Sequence, residues 1–160
     1  IQKFVAADKP VIGVCLGAQL LGEAYGAPVE TSPEKEIGHF PINLTADGRA
    51  NSYLKDFPDE LTVGHWHGDM PGLPETAKVL AESAGCPRQI VQFGQKQYGF
   101  QCHLEFSPSL LEGLIAQEKQ LETDAKNHAY IQDRKTILDY DYKPMNAYLK
   151  TFLNHLVQHA

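Results

Sequence analysis

A cysteine at position 15 stands between two glycines, at the point where a short apolar run gives way to a helical pattern. The segment Gly13-Val14-Cys15-Leu16-Gly17 has the spacing of a nucleophile elbow, a sharp turn between a strand and a helix. Such a turn is strained, and we expect side chains at both glycine positions to clash with neighbouring backbone. The helix N-terminus would favour a thiolate at Cys15, and its N–H groups could stabilise an oxyanion, with Leu16 as the first donor.

A second segment supplies the base that a catalytic cysteine needs and a group to orient that base. In Gln101-Cys102-His103-Leu104-Glu105, a strand would place the side chains of His103 and Glu105 on one face. His103 can accept the thiol proton and later protonate a leaving group, while Glu105 fixes its tautomer. Cys15, His103 and Glu105 are therefore the predicted catalytic residues. Taken singly, they also fit a packed cysteine, a core histidine and a solvated glutamate.

A third segment, His65-Trp66-His67-Gly68-Asp69, has the H-x-H-x-D spacing of some metal sites. Two imidazoles two residues apart at a strand end could share a zinc ion. Hydrolases of the metallo-β-lactamase type usually add a histidine directly after the aspartate, and here that residue is Met70. A metal site would also leave the glycines around Cys15 unexplained. We therefore expect no bound metal.

The elements that must position these residues alternate between strand and helix patterns. The predicted strands are 11–15, 37–45, 61–67, 78–83, 89–93 and 98–104, and the predicted helices are 17–25, 108–126 and 145–157. Residues 94–97 predict a hairpin, and Ser107-Pro108 predicts a helix start with the serine as N-cap. With no repeat or linker signal, residues 1–160 are predicted to form one α/β domain with a helical tail from about 108 to 160.

Composition and charge argue against several classes of protein. The formal net charge is −6, which is unlike the basic surface of a nucleic-acid-binding protein. No apolar run approaches the roughly eighteen residues of a membrane span. The cysteines are few and odd in number, which does not suggest a disulfide framework, so we expect a reducing compartment such as the cytoplasm.

Taken together, the motifs resemble a class I glutamine amidotransferase domain, and most closely the free-standing members that are similar to GMP synthase. The resemblance rests on four segments: Cys15-Leu16-Gly17-Ala18-Gln19, Glu36-Ile37-Gly38, His67-Gly68-Asp69 and His103-Leu104-Glu105. It implies a three-layer, open, mostly parallel sheet with flanking helices, similar to flavodoxin.

The resemblance also implies an activity, which is hydrolysis of the glutamine side-chain amide. Cys15 would attack the amide carbon, His103 would protonate the departing ammonia, and water would release glutamate from a γ-glutamyl thioester. Substrate binding is implied for the first oxyanion donor and for groups that hold the amino-acid end of glutamine: Leu16, Gln19, His67, Gly68 and Asp69. No metal or organic cofactor is implied. The implied partners are glutamine or another γ-glutamyl compound and a separate ammonia-accepting synthetase subunit, with no nucleic acid or membrane.

The sequence departs from the family pattern at three places. Leu104 replaces the proline that usually separates the histidine from the glutamate, and Ala18 replaces a histidine that is common in the elbow. The strands that normally precede the elbow strand, and the glycine-rich loop that gives a second oxyanion donor, have no counterpart here. We therefore expect the natural protein to be longer than these 160 residues.

Two other functions remain open from the sequence. The same three catalytic residues would serve a γ-glutamyl hydrolase or peptidase, which passes no ammonia to an acceptor. The chain has no G-x-x-x-x-G-K-[ST] motif for a synthetase domain of its own. A non-catalytic domain that binds glutamine would keep the fold, but it has no need of all three residues.

Overall fold

Six strands and seven helices follow one another along residues 1–158, which are the residues that a computed structural model of the chain describes. The strands are β1 (Val11–Val14), β2 (Glu30–Leu44), β3 (Glu60–Met70), β4 (Lys78–Glu82), β5 (Ile90–Gln92) and β6 (Gln97–Phe100). The helices are α1 (Gln2–Ala6), α2 (Leu16–Ala24), α3 (Ala46–Ala50), α4 (Pro108–Gln117), α5 (Leu121–Asn127), α6 (Arg134–Leu138) and α7 (Lys143–Gln158).

The six strands form one sheet in the order β1-β6-β5-β4-β2-β3, with helices packed against it. The predicted α/β fold class is confirmed. The prediction of a mostly parallel sheet is wrong for residues 1–158, because β1 and β6 are parallel and the four other pairings are antiparallel. The links from β4 to β5 and from β5 to β6 are too short for the crossover that parallel neighbours require. The predicted hairpin between β5 and β6 is confirmed.

Three strands differ from the predictions by more than one residue at an end. β3 continues to Met70 rather than ending at His67. β2 begins at Glu30 rather than at Ile37, because its polar first part pairs with the end of β3 across an irregularity between Thr31 and Glu36. The strand predicted over 98–104 ends at Phe100, and the residues that follow it are irregular. The segment that carries His103 is therefore not a continuation of β6.

The C-terminal part is helical, as predicted, although it is divided into more helices. Ser107 caps α4 by accepting a hydrogen bond from the N–H of Leu110, and Pro108 is the first helical residue. The single helix predicted over 108–126 is interrupted between α4 and α5. The last two residues of the predicted tail lie outside the described residues. Within residues 1–158, no helix combines the length and the hydropathy needed to cross a membrane.

Helix α7 packs against the sheet through a buried phenylalanine. The ring of Phe152 meets the rings of Tyr98 and Phe100 on β6, with centroid distances of 5.1 and 5.0 Å. Near the start of the same helix, the side-chain amide of Asn146 donates to the carbonyl oxygens of Leu104 and Phe106, at 2.6 and 3.1 Å. The last described helix therefore holds both β6 and the segment that follows β6.

Candidate active site

Cys15 lies in the turn between β1 and α2 and occupies the N-cap position of the helix. Its φ is +50°, in the left-handed region that residues other than glycine rarely adopt, so the turn stores backbone strain. The N–H of Cys15 donates to the carbonyl oxygen of Phe100 at 2.7 Å, which fixes this turn against the end of β6. The cysteine thus lies where the sequence predicts it, at the change from strand to helix.

The two glycines that flank Cys15 are not equivalent. A Cβ atom on Gly13 would lie 2.2 Å from the carbonyl oxygen of Gly17, so close backbone approach requires glycine at position 13. A Cβ atom on Gly17 would have no heavy atom of the described residues within 4 Å beyond its chain neighbours and the backbone of its own helix. The expected clash is therefore confirmed at Gly13, but the expectation is wrong at Gly17.

His103 and Glu105 are in contact, as predicted, but a different strand holds them. The Nδ1 atom of His103 lies 2.6 Å from Oε1 of Glu105, whose side chain is partly exposed. The backbone of His103 exchanges two hydrogen bonds with Gly64 of β3, with N···O distances of 2.8 and 3.0 Å. The imidazole also stacks on the ring of Phe106, at a centroid distance of 4.2 Å. The histidine is therefore fixed by its backbone, its ring face and one ring nitrogen.

The environment favours a charged pair at Cys15 and His103. Burial by itself would raise the pKa of the Cys15 thiol, but interactions with His103, the Leu16 N–H and Gln101 outweigh it, and the pKa is lowered. Burial would lower the pKa of His103, but interactions with Cys15 and Glu105 outweigh it and raise the pKa to about 9. The Nε2 atom of His103 is buried and has no hydrogen-bond partner among the described residues. Catalytic hydrogen bonds are often long before substrate binds, so this atom remains free to serve the thiol.

Gln101 is a site residue that the sequence analysis quoted without assigning it a role. It is fully buried, and its side-chain amide donates to Sγ of Cys15 at 3.6 Å. Its Oε1 atom accepts a hydrogen bond of 3.0 Å from the side-chain amide of Gln19. Alternate residues of an extended segment share a face, which is why the sequence predicted that Glu105 lies beside His103. The same spacing places Gln101 on that face, so the sequence could have identified it. The carbonyl oxygen of Trp66 completes this group, 3.9 Å from Sγ of Cys15.

The segment His67-Gly68-Asp69 lies at the end of β3, directly after Trp66, so the chain brings it close to the cysteine. The ring of His67 is engaged inside the protein, with Nδ1 3.1 Å from the carbonyl oxygen of Asp69 and Nε2 3.2 Å from Oε2 of Glu36. Asp69 is exposed and Gly68 is half-buried. Any contact of this segment with a substrate would therefore come from the backbone or from Asp69.

The H-x-H-x-D spacing brings together a different set of side chains from the one it suggested. His65 and His67 both face the carboxylate of Glu36, which is fully buried on β2, and Asp69 contributes only its carbonyl oxygen. Burial lowers the pKa of His65 to about 4, although the Glu36 charge opposes this. Burial would raise the pKa of Glu36, but its contacts with His67, His65 and Ser83 lower it. Glu36 is a residue that local spacing could not find.

Comparison with known proteins identifies the family. The family described as "Glutamine amidotransferase class-I" matches residues 1–135, a range that holds every residue of the site described above. The chain belongs to the class I glutamine amidotransferase family. The predicted resemblance to this family is confirmed, and so is its link to GMP synthase: the GMP synthase [glutamine-hydrolyzing] of Syntrophomonas wolfei is 37% identical over 98 residues, 60% of this chain and 19% of that enzyme.

Two other relatives match nearly the whole of this chain. The putative glutamine amidotransferase-like protein YfeJ of Salmonella typhimurium is 52% identical over 156 residues, 98% of this chain and 65% of that protein. The crystal structure of SMU.1228c superposes with a TM-score of 0.96 and 56% identity, covering 98% of this chain and 67% of that one. The chain thus spans about two thirds of the length of both relatives.

Proposed function

We propose that this class I domain hydrolyses the side-chain amide of glutamine through Cys15, His103 and Glu105. The observation that carries the proposal is the arrangement around Cys15: a strained turn at a helix N-terminus, a lowered thiol pKa, and an imidazole whose other nitrogen is bound by a carboxylate. Family membership supports the reaction class. A cysteine that only filled core space would need neither the strain nor the polar neighbours.

The chemistry proceeds in two halves. The Cys15 thiolate forms a bond to the amide carbon of glutamine, and the tetrahedral intermediate collapses as His103 gives its proton to the departing nitrogen, which leaves as ammonia. His103 then accepts a proton from water, whose oxygen attacks the γ-glutamyl thioester carbon. The C–S bond breaks, glutamate leaves, and the thiolate and protonated imidazole are restored.

The N-terminus of α2 supplies the first stabilisation of the oxyanion. The N–H of Leu16 already interacts with Cys15 Sγ, and a donor of this kind is worth about two to three orders of magnitude in rate. We assign the amino-acid end of glutamine to Gln19 and to the His67-Gly68-Asp69 segment. Gln19 lies beside the site, since its side-chain amide donates to Gln101, which in turn donates to Sγ of Cys15.

We further propose a separate ammonia-accepting synthetase subunit as the partner. Leu16 and Leu20 are exposed large apolar residues, one helical turn apart on α2, beside the cysteine. An apolar surface next to the point where ammonia forms suits a partner that receives it away from water. A γ-glutamyl hydrolase would need no such partner, so dependence of activity on a second protein would distinguish the two functions.

The decisive experiment incubates the protein with glutamine and follows glutamate and ammonia together. Equal release of both products, abolished by Cys15→Ala and retained by Cys86→Ala, would support the proposal, since Cys86 is buried and outside the site. Release of amines from γ-glutamyl peptides without release of ammonia from glutamine would favour the hydrolase. Glutamine binding without any turnover, unchanged in Cys15→Ala, would favour a binding domain.

A further inference from the structure

A buried cluster on β2 and β3 brings one carboxylate and two imidazoles together. The side chains of Glu36 and His65 are fully buried, and His67 is 6% exposed. One oxygen of Glu36 and one ring nitrogen of each histidine lie within 4.8 Å of one another. The cluster adjoins the proposed active site, because His67 follows Trp66, whose carbonyl oxygen lies 3.9 Å from Sγ of Cys15. Its three side chains take no part in the bond-making steps described above.

The tautomers of both rings are set by backbone carbonyl groups. The Nε2 atom of His65 lies 3.2 Å from the carbonyl oxygen of Phe40, and the Nδ1 atom of His67 lies 3.1 Å from that of Asp69. A carbonyl oxygen only accepts, so each of these nitrogens must carry the ring proton of a neutral imidazole. Metal-binding histidines are typically oriented in this way, with the second ring nitrogen donating to a carbonyl or carboxylate.

The other ring nitrogens, Nδ1 of His65 and Nε2 of His67, then carry lone pairs, and both face Oε2 of Glu36, which is also an acceptor. His65 Nδ1 is 3.5 Å from Oε2 of Glu36 and has no hydrogen-bond partner, and His67 Nε2 is 3.2 Å from the same oxygen. The Gln89 side-chain nitrogen donates to this oxygen at 2.6 Å and lies 3.3 Å from His67 Nε2, and the Ser83 hydroxyl donates to it at 3.0 Å. The lone pair of His65 Nδ1 still faces the carboxylate with no donor between them, and a cation at that point would remove the repulsion. Two additional protons could serve, but burial disfavours two charged imidazoles side by side.

We propose that Glu36, His65 and His67 bind one divalent transition-metal ion, of which Zn²⁺ is the type. Imidazole and carboxylate are its ordinary ligands, at about 2.0–2.2 Å, which places the ligand atoms of a tetrahedral site roughly 3.3 Å apart. The observed separations of 3.2 and 3.5 Å agree with that geometry. The inference reverses the expectation of no metal, because a third ligand comes from β2, which is remote in sequence but pairs with β3 and places Glu36 opposite His67. It is independent of the proposed glutamine hydrolysis.

Gln89 offers a fourth ligand. Its side-chain nitrogen donates to Oε2 of Glu36 at 2.6 Å and to the Ser83 hydroxyl at 2.9 Å, and it lies 3.3 Å from Nε2 of His67. Its Oε1 atom is buried without a partner. The oxygen and nitrogen of an amide exchange places when the group is flipped, and the hydrogen-bond network decides which orientation holds. With a metal present, Oε1 would point at the ion and complete a closed, four-coordinate site of the structural kind.

Such an ion would join three elements beside the active site. It would tie β2 to β3 and both to the link before β5, which carries Gln89. His67 is followed directly by the Gly68-Asp69 segment proposed to hold glutamine, so a metal at His67 would fix the position of that segment. The site is therefore expected to stabilise the fold rather than to activate water.

The test is elemental analysis of the protein without a histidine tag, produced in zinc-supplemented medium and dialysed against a mild chelator. We expect about one metal ion per chain in the wild type and in His128→Gln, whose histidine is exposed. We expect the ion to be lost in His67→Gln. If wild type and His67→Gln contain the same amount of metal, whatever that amount is, the proposal is wrong.

A second measurement covers the case in which His67→Gln does not fold. Wild-type protein produced with Co²⁺ in place of zinc should show the visible absorption bands of tetrahedral cobalt with nitrogen and oxygen ligands. Absence of these bands, with no change in melting temperature after refolding with or without Zn²⁺, would overturn the proposal and leave protons as the shared cations. Neither readout depends on glutamine hydrolysis, so the two proposals can fail separately.

Discussion

Cys15 and His103 each shift the pKa of the other, and single neighbouring residues add to both shifts. Desolvation works against both charged forms, and on its own it would leave a neutral thiol and a neutral imidazole. Glu105 holds the imidazolium through Nδ1, while the Leu16 N–H and the Gln101 amide favour the thiolate. Three neighbouring groups therefore favour the charged pair, and removing one of them should change the titration of both Cys15 and His103.

Alkylation by iodoacetamide should report this coupling. Because the pKa of Cys15 is lowered, its thiolate persists as the pH falls below the usual range of a thiol, and reactivity should begin at lower pH than for free cysteine. The variant His103→Asn removes the positive charge, so its reactivity profile should shift toward higher pH. Above about pH 9 the wild type should lose its advantage, because His103 loses its proton there.

The other two cysteines provide the control within the same experiment. Burial raises the pKa of Cys86 and raises that of Cys102 well above its usual value, so neither should react while the chain is folded. Peptide mapping by mass spectrometry would locate the label. Coincident pH profiles for the wild type and His103→Asn would contradict the proposed ion pair.

The spacing of residues along the sequence predicts some members of the candidate site but not others. Cys15, His103 and Glu105 were predictable because each relation spans a few residues, as a turn motif or as alternate positions in extended chain. Gln101 obeys the same rule and could have been included. Glu36 meets His65 and His67 only because two antiparallel strands align, and no local pattern specifies which strands become neighbours.

At the scale of elements, the turn between β1 and α2 depends on close backbone approach. β1 runs parallel to β6, with Gly13 opposite Gly99 and Val14 opposite Phe100. The helix begins immediately after Cys15, and its first turn passes over Gly13 at a distance that leaves no room for a side chain. The strain at Cys15 is therefore held in place by the sheet on one side and the helix on the other.

Alanine substitutions at Gly13 and Gly17 should show which of the two glycines is required for steric reasons. Gly13→Ala must displace the backbone of α2, and we expect a loss of about 3 kcal/mol or more in the free energy of unfolding. Gly17→Ala meets open space on a helix, so stability should stay within about 1 kcal/mol of wild type, on the stabilising side. Urea unfolding would measure both; equal losses in the two variants would refute this account of the turn.

Element types were easier to predict than element partners. The apolar runs and the Ser107-Pro108 start identified most strands and the beginning of α4. The first part of β2 was missed because its residues are mostly polar and include Pro33, which argues against a strand until its pairing partner is known. The antiparallel majority was missed because the prediction of a mostly parallel sheet followed from the resemblance and not from the lengths of the links between strands.

At the scale of the whole molecule, the C-terminal part stabilises a site that is built mainly in the first two thirds of the chain. The residues directly after β6 leave the sheet, and the bridge between His103 and Gly64 holds them to β3. Farther along the chain, Ile131 forms a second bridge, to Ile37 of β2. Helix α7 compensates from the other side, because Asn146 binds the carbonyl groups of Leu104 and Phe106. The segment that carries His103 and Glu105 is thus held between β3 and α7.

Replacing Asn146 by alanine should therefore affect both stability and catalysis. The change leaves the carbonyl oxygens of two buried residues without their donor, which should lower the free energy of unfolding by about 1–3 kcal/mol. Freed from α7, the segment between Leu104 and Phe106 should hold Glu105 less firmly against His103. We expect kcat for glutamine hydrolysis to fall about tenfold, equivalent to about 1.4 kcal/mol, with little change in KM.

Asn154→Ala is the matched control, since Asn154 lies on the same helix but is exposed. It should leave kcat unchanged and stability nearly so. A fall in stability without a fall in kcat for Asn146→Ala would mean that β3 alone positions His103. The proposed role of α7 at the site would then be wrong, and its contribution would reduce to packing Phe152 against β6.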